Sequence, residues 1–261
     1  MLVHIIADYG FGDLAFAEVV QRIKLHLPDA EPILTPVPAF TTLAAGFCIA
    51  QLGLNQAPAG TIIYHNVAPR EDDERSRTGN AGERLAFAPL PTGVRVIGVN
   101  AGYAFSFVRD LAVELRWAAV PAEGSQFRSR DLFPEAAGAI ALGQPDALAE
   151  EIPGSDIPDV PSNCIAYIDG YGNLKTTIKH EPSQTNQSDT ALLQIGEIEQ
   201  KAIRSDDSFA VESGQLAIAP GSSGWNNLHG EQTQWMEVFL RGGNAWELFN
   251  RPPIGTNINI G

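Results

Sequence analysis

The sequence predicts an α/β protein in two parts, an N-terminal domain over residues 1–150 built on a largely parallel sheet and a C-terminal domain over 163–261 of antiparallel strands. Three observations carry this. Short apolar runs alternate with helical patterns through the N-terminal part, as they do where crossover helices cover both faces of a sheet. The stretch EIPGSDIPDVPS at 151–162 is rich in proline, glycine and acid, has little to bury, and reads as a linker. Beyond it helical periodicity nearly vanishes, and short strand-like runs separated by Gly, Ser and Asn predict a small barrel or sandwich.

Taken in order, Leu2–Ala7 is apolar and β-branched and stops at Asp8-Tyr9-Gly10, which predicts a buried strand. From Phe11 to His26 the spacing puts Phe16, Val19, Val20 and Ile23 on one helical face, with Pro28 closing the segment. Pro32–Val37, Thr61–Val67, Val94–Val99 and Leu115–Val120 are further strands, with helices at Thr41–Leu52, Phe105–Leu115 and Asp131–Leu142. After the linker, strand-like runs cover Asn163–Ile178, Leu192–Ile198, Ser208–Val211, Gln215–Ala219 and Glu237–Leu240. There is no internal repeat.

Composition removes several classes of function. A formal charge of −14 repels phosphate backbones and anionic lipid, so neither nucleic acid nor membrane is an expected partner. No stretch approaches the roughly 18 apolar residues of a membrane helix. The opening MLVHIIADYG has no basic region ahead of its apolar run, so a cytoplasmic protein is expected. Cys48 and Cys164 match no metal spacing and read as buried thiols. His4, His26, His65, His180 and His229 show no ligand spacing, so no metal is expected. Walker, GxGxxG and GxSxG patterns are absent.

Four segments could carry chemistry. In HIIADYGFGD a strand ends in Asp8, where open α/β sheets bind ligands, and a carboxylate there suits a ribose diol; it could equally cap a helix or close a turn. In YIDGYGNLKTT at 167–177 an aromatic and an amide could hold an adenine ring, yet Asp, Gly and Asn are also the ordinary residues of a hairpin turn. GSQFRSRDLFPEAA at 124–137 offers a helix start that could hold an anion, or a capped helix with surface arginines. APREDDERSR at 68–77 reads as a solvated charged loop.

Together these segments stand in an order that resembles the S-adenosylmethionine hydroxide adenosyltransferases, relatives of the bacterial fluorinase and chlorinase. The family's TDFG strand end, followed by an acid, is similar to Ala7-Asp8-Tyr9-Gly10 with Asp13, and its Pro-x-Gly-Thr entry to Pro58-Ala59-Gly60-Thr61. The loop after that strand corresponds to Ala68-Pro69 through Arg75, and the G-P-D-N-G turn to Gly98-Val99-Asn100-Ala101-Gly102. The S-x-F-H-G-R-D-x-F segment corresponds to Ser125–Phe133, and Y-I-D-x-F-G-N to Tyr167–Asn173. The closing elements are Gly221-Ser222-Ser223-Gly224 and Gly243-Asn244-Ala245.

The resemblance implies an N-terminal α/β domain, a C-terminal β-barrel and a homotrimer or dimer of trimers, with an adenosyl ligand held where subunits meet. S-adenosylmethionine is then substrate or ligand, and no separate cofactor is implied. Asp8 matches the residue gripping the ribose hydroxyls and Asp169 one near the methionine ammonium. Tyr171 and Asn173 match the adenine-holding pair. Ser222 or Ser223 falls near the methionine carboxylate, and Asn244 and Ala245 complete the binding set. The reaction so implied is displacement of methionine from the ribose C5′ by water or hydroxide, which rests on positioning and desolvation.

The chain departs from the family at the nucleophile pocket. Where the family has an Asp, an Arg and a His to orient and deprotonate water, this sequence has Ala68, Arg75 and Arg128. Ser129 resembles the halogenase branch, in which a serine precedes the arginine, although that branch's aromatic and threonine have no counterpart in Ala68-Pro69-Arg70-Glu71. Arg75, Arg128 and Ser129 are the candidate catalytic residues. Three outcomes stay open: a slow or altered adenosyltransferase, a non-catalytic adenosyl-ligand-binding protein, and an enzyme with an anionic acceptor such as halide.

Overall fold

β-branched apolar residues from Leu2 to Ala7 form the first strand, β1, with Val3, Ile5, Ile6 and Ala7 buried. The computed structural model describes residues 1–68, 82–121, 123–182, 189–206, 210–226 and 230–261, in two compact units, Met1–Asp159 and Val160–Gly261. In the first unit α1 (Leu14–His26), β2 (Glu31–Pro36), α2 (Thr42–Gly53) and β3 (Ile62–Asn66) follow β1. Then come β4 (Leu85–Pro89), β5 (Arg95–Val99), β6 (Arg116–Ala118), the short α3 (Arg128–Asp131), α4 (Phe133–Ala141) and β7 (Leu148–Glu151).

The sheet order is β2-β1-β3-β5-β4-β6-β7. From β2 to β5 every pair is parallel, as the strand–helix alternation predicts. The other half is antiparallel, so the sheet is mixed. The cause is β4, which sequence patterning passes over: it joins β5 through the tight turn closed by Leu90 N–H to Val94 O, and a connection that short only permits an antiparallel pair. Phe16, Val19 and Ile23 of α1 and Phe133, Ala137 and Ile140 of α4 share one core with Val3, Ile5, Tyr64, Phe87 and Ile97. α2, buried along nearly its whole length, covers β1, β3 and β5 from the other face.

Three expected helices change. The first starts at Leu14 rather than Phe11, because Gly10 and Gly12 are left-handed (φ 83° and 79°) and Asp13 caps it by accepting from Ala15 N–H at 2.7 Å. Residues 105–115 are no regular helix but a run of turns; i→i+3 bonds such as Val108 N–H to Phe105 O mix with i→i+4 bonds such as Arg109 N–H to Phe105 O, and Phe105, Phe107 and Val108 are buried. The segment expected as Asp131–Leu142 breaks at Leu132, which ends α3 before Phe133-Pro134 starts α4.

The second unit holds β8 (Ile165–Ile168), β9 (Leu174–Lys179), β10 (Thr190–Ile195), β11 (Ile198–Arg204), β12 (Leu216–Asn226), β13 (Gln232–Leu240), α5 (Ala245–Leu248) and β14 (Ile258–Ile260). Its sheet runs β14-β10-β11-β12-β13-β9-β8. The two ends of that order meet: Cys164 bridges Asn257, Ile165 N–H bonds Thr256 O at 3.0 Å and Ile258 N–H bonds Asn163 O at 2.7 Å. The sheet therefore curls nearly into a barrel. Its core gathers Ile165, Leu174, Leu193, Ile195, Ile218, Val238 and Phe249. One pair, β11 with β12, is parallel against expectation, since residues 205–215 form a connection longer than a hairpin turn. The expected strand at 208–211 lies partly outside the described residues, and Val211 itself is in no strand.

Candidate functional site

In the first unit, β1 sits between β2 and β3, with α1 and α2 departing to opposite faces; this is the switch point beside which open sheets bind ligands. Asp8 stands immediately beyond the carboxyl end of β1. It is not the helix cap, a role taken by Asp13. Its Oδ2 accepts from Phe40 N–H at 3.0 Å, while Val37 N–H bonds Ala7 O at 3.0 Å, so the loops after β1 and β2 are stitched together. Phe40 is held left-handed (φ 62°) to aim its amide there, a conformation that costs a non-glycine residue about 1–3 kcal/mol and clusters at functional sites. Oδ1 of Asp8 has no partner among the described residues.

Register places Asn66 of β3 opposite Ala7, so Asp8 and Asn66 lie at the same end of the sheet. Tyr9 turns inward against Phe16 and Phe127 in edge-to-face contacts, with centroids 5.1 and 5.8 Å apart. Its hydroxyl donates to Ser129 Oγ at 2.7 Å, and the Asn66 side chain lies close to the same hydroxyl. Tyr64 OH donates to the Ser129 carbonyl at 2.5 Å. Burial raises both phenol pKa values, so both stay protonated. Tyr9, Tyr64 and Asn66 escape sequence reasoning: each reads as a packing or strand-end residue. The one available signal is a tyrosine following the strand-end acid.

The arginines have other commitments. Arg128 donates to Glu83 O at 2.8 Å, presses against Gly82 and lies 5.2 Å from the Phe133 ring centroid. Arg130 joins Asp131 at 2.7 Å and Glu18 at 3.1 Å. The Asp131 carboxyl pKa is held at about 2, by Arg130 first and the Ser125 hydroxyl second. This network ties α3 to α1, and Pro134 removes a donor from the start of α4; neither α3 nor α4 has a side-chain cap, and the arginines here are ion-paired or held by a carbonyl. Ala68 packs against the apolar core. Arg75, with most of the charged run at 68–77, lies outside the described residues.

In the second unit the turn between β8 and β9 is built by Asp169. Its Oδ1 accepts from Tyr171 N–H at 2.9 Å and Asn173 N–H at 3.0 Å, and Oδ2 accepts from Asn173 Nδ2 at 3.0 Å. These are hairpin-turn roles, and they leave the Tyr171 ring 80% exposed. Gly172 (φ 80°) brings the turn against Asn244: a Cβ there would fall 2.1 Å from Asn244 Oδ1. Asn244 caps α5 by accepting from Glu247 N–H at 2.9 Å, Ala245 is buried, and Trp246 N–H bonds Gly172 O at 2.9 Å. Asp169, Tyr171, Asn173, Asn244 and Ala245 thus lie together.

Ser222 is exposed and Ser223 buried on the irregular stretch of β12 between Pro220 and Gly224. This stretch reaches the Asp169 turn through an ion-pair chain: Lys175 Nζ is 2.8 Å from Glu237 Oε2, which abuts Gly221, and 3.8 Å from Asp169 Oδ2. Lys175 and Glu237 are polar residues that strand patterning hides.

Among the described residues no group of metal-ligand type assembles, and no helix is long and apolar enough to cross a membrane. No family model and no curated protein matches the chain. Two solved structures are similar over 99% of this chain and 99% of their own: an uncharacterized conserved protein from Thermotoga maritima (TM-score 0.74, 19% identity) and a conserved hypothetical protein from Thermus thermophilus (TM-score 0.68, 19% identity). What the chain shares with them is the fold, an α/β unit followed by a nearly closed β-barrel.

Proposed function

We propose that the protein binds an adenosyl ligand, S-adenosylmethionine or a close relative, with its ribose on Asp8, and acts as an adenosyltransferase displacing methionine at the ribose C5′ with water or hydroxide. The observation carrying this reading is the Asp8 carboxylate at the switch point, oriented by the Phe40 amide with its second oxygen open. Such a group is pre-set to accept two hydroxyls of a diol. The motif order along the chain supplies the adenosyl identity, and the Tyr171–Asn173 turn with Asn244 supports an adenine subsite.

A second reading, binding without turnover, draws support from Ala68 and Arg128. The first packs on apolar side chains and the second is engaged by a carbonyl, so neither offers water a proton acceptor. A homotrimer or dimer of trimers in the cytoplasm belongs to the same proposal, since the family's site is shared between subunits.

Calorimetry with adenosine and S-adenosylmethionine, paired with chromatographic detection of adenosine and methionine, tests both readings. Asp8→Ala should abolish binding without unfolding the protein, because losing a charge-assisted bidentate contact costs about 2–4 kcal/mol. An Asp8→Ala variant that binds as tightly as wild type removes Asp8 from the site.

A further inference from the structure

The loop after β1 and the short helix α3 meet at the bond from Tyr9 OH to Ser129 Oγ, 2.7 Å long. The Asn66 side chain lies close to the same phenol oxygen. Ser129 is 5% exposed, and its carbonyl is taken by Tyr64. A serine hydroxyl that accepts one hydrogen bond still has a proton to give. No acceptor for that proton stands among the described residues, and buried polar groups are rarely left unmatched. Ser129 thus presents an unanswered donor on the partner of Tyr9, the residue that follows Asp8 and its unanswered acceptor.

We propose that Tyr9 fixes the Ser129 hydroxyl as a hydrogen-bond donor to the bound ligand, so that Ser129 reads a lone-pair oxygen of the ligand and Tyr9 is its positioning residue. This rests on the adenosyl-ligand reading and adds to it the polarity of the pocket. The bond runs one way, from Tyr9 to Ser129. The buried phenol keeps its own proton. The pair can therefore orient and stabilise an acceptor atom, and it cannot deprotonate water. Two departures from the family pattern act as a pair: tyrosine in place of phenylalanine after Asp8 and serine in place of glycine before Arg130 create one contact.

The test is a double-mutant cycle read by calorimetry with S-adenosylmethionine and with adenosine. Tyr9→Phe keeps the ring packing on Phe16 and Phe127, and circular dichroism checks that each variant is folded. Ser129→Ala should weaken binding about tenfold and Tyr9→Phe about fivefold. In the Ser129→Ala background, Tyr9→Phe should change affinity by less than about twofold, because the hydroxyl it orders is gone. Ser129→Thr, which retains the hydroxyl, should restore the dependence on Tyr9. Equal Tyr9→Phe penalties in both backgrounds, or Ser129→Ala binding like wild type, would overturn the proposal. Wild type that binds neither compound sinks the adenosyl reading and this proposal with it, a result visible before any variant is made.

Discussion

Acidifying the protein should cost it stability through one buried side chain, His65. Its ring lies in β3, is 0% exposed, faces Phe105 with centroids 5.7 Å apart, and sits so close to Gly98 that a Cβ there would fall 1.9 Å from the imidazole Cδ2. Nε2 is 2.8 Å from Val99 O, so it carries the proton, and Nδ1 has no partner among the described residues. Burial pushes the pKa down to about 4, against 6.5 ordinarily, and the bond to Val99 only partly offsets this.

Because the folded value is the lower one, the unfolded chain binds a proton that the native state refuses between pH 6.5 and about 4. The contribution is complete above pH 6.5 and drains away as pH falls through that window. At 1.36 kcal/mol per unit, the whole loss is about 3 kcal/mol, and about 2 kcal/mol of it has gone by pH 5. Asp131, held at about 2, titrates below the window.

Urea unfolding of wild type and His65→Gln at pH 8 and pH 5 isolates this contribution, since glutamine can still donate to Val99 O and does not titrate. Wild type should lose about 2 kcal/mol more than the variant over that interval. Equal losses, or an imidazole titrating near 6.5 by NMR, would mean that burial does not hold the His65 ring neutral.

Two further outcomes are expected. Hydrolysis of S-adenosylmethionine should be slow at neutral pH and rise with pH, because general-base help worth about 10²–10⁴ in rate is missing. Ala68→Asp with Arg128→His should accelerate it more than either change alone, as chromatography of adenosine would record; a double variant that binds ligand and stays inert disproves the assignment of those two positions. Gly172→Ala should destabilise the second unit by about 1–3 kcal/mol, because the site is left-handed and filled by Asn244. Thermal melts would check this, and an unchanged transition would mean the turn relaxes freely.

The residues that local pattern reveals are those whose reasons are local. Leu2–Ala7 and Asp8 are legible because an apolar β-branched run ending in an acid has few other meanings. Asp169 is ambiguous for the same cause, since one set of residues makes both a turn and a site, and the carboxylate proves to be bonded inside the turn. Tyr9 and Ser129 stand 120 positions apart, and no spacing links them. β4 escapes notice because LAFAP ends in a proline, which demotes a strand on sequence grounds. α5 and β14 are too short to show a period.

The seam joining Cys164 and Ile165 to residues 255–258 has a consequence for solubility. A sheet that ends in open air offers its unpaired amides and carbonyls to any passing chain, which is how intermolecular pairing begins. Here the two outermost staves guard one another, and the guard is only a few hydrogen bonds wide. A proline in place of Ile258 would delete the N–H that holds Asn163 O and so open the seam between β14 and the strand that begins at Ile165. Two raw margins would then face solvent, and filaments would be the first symptom.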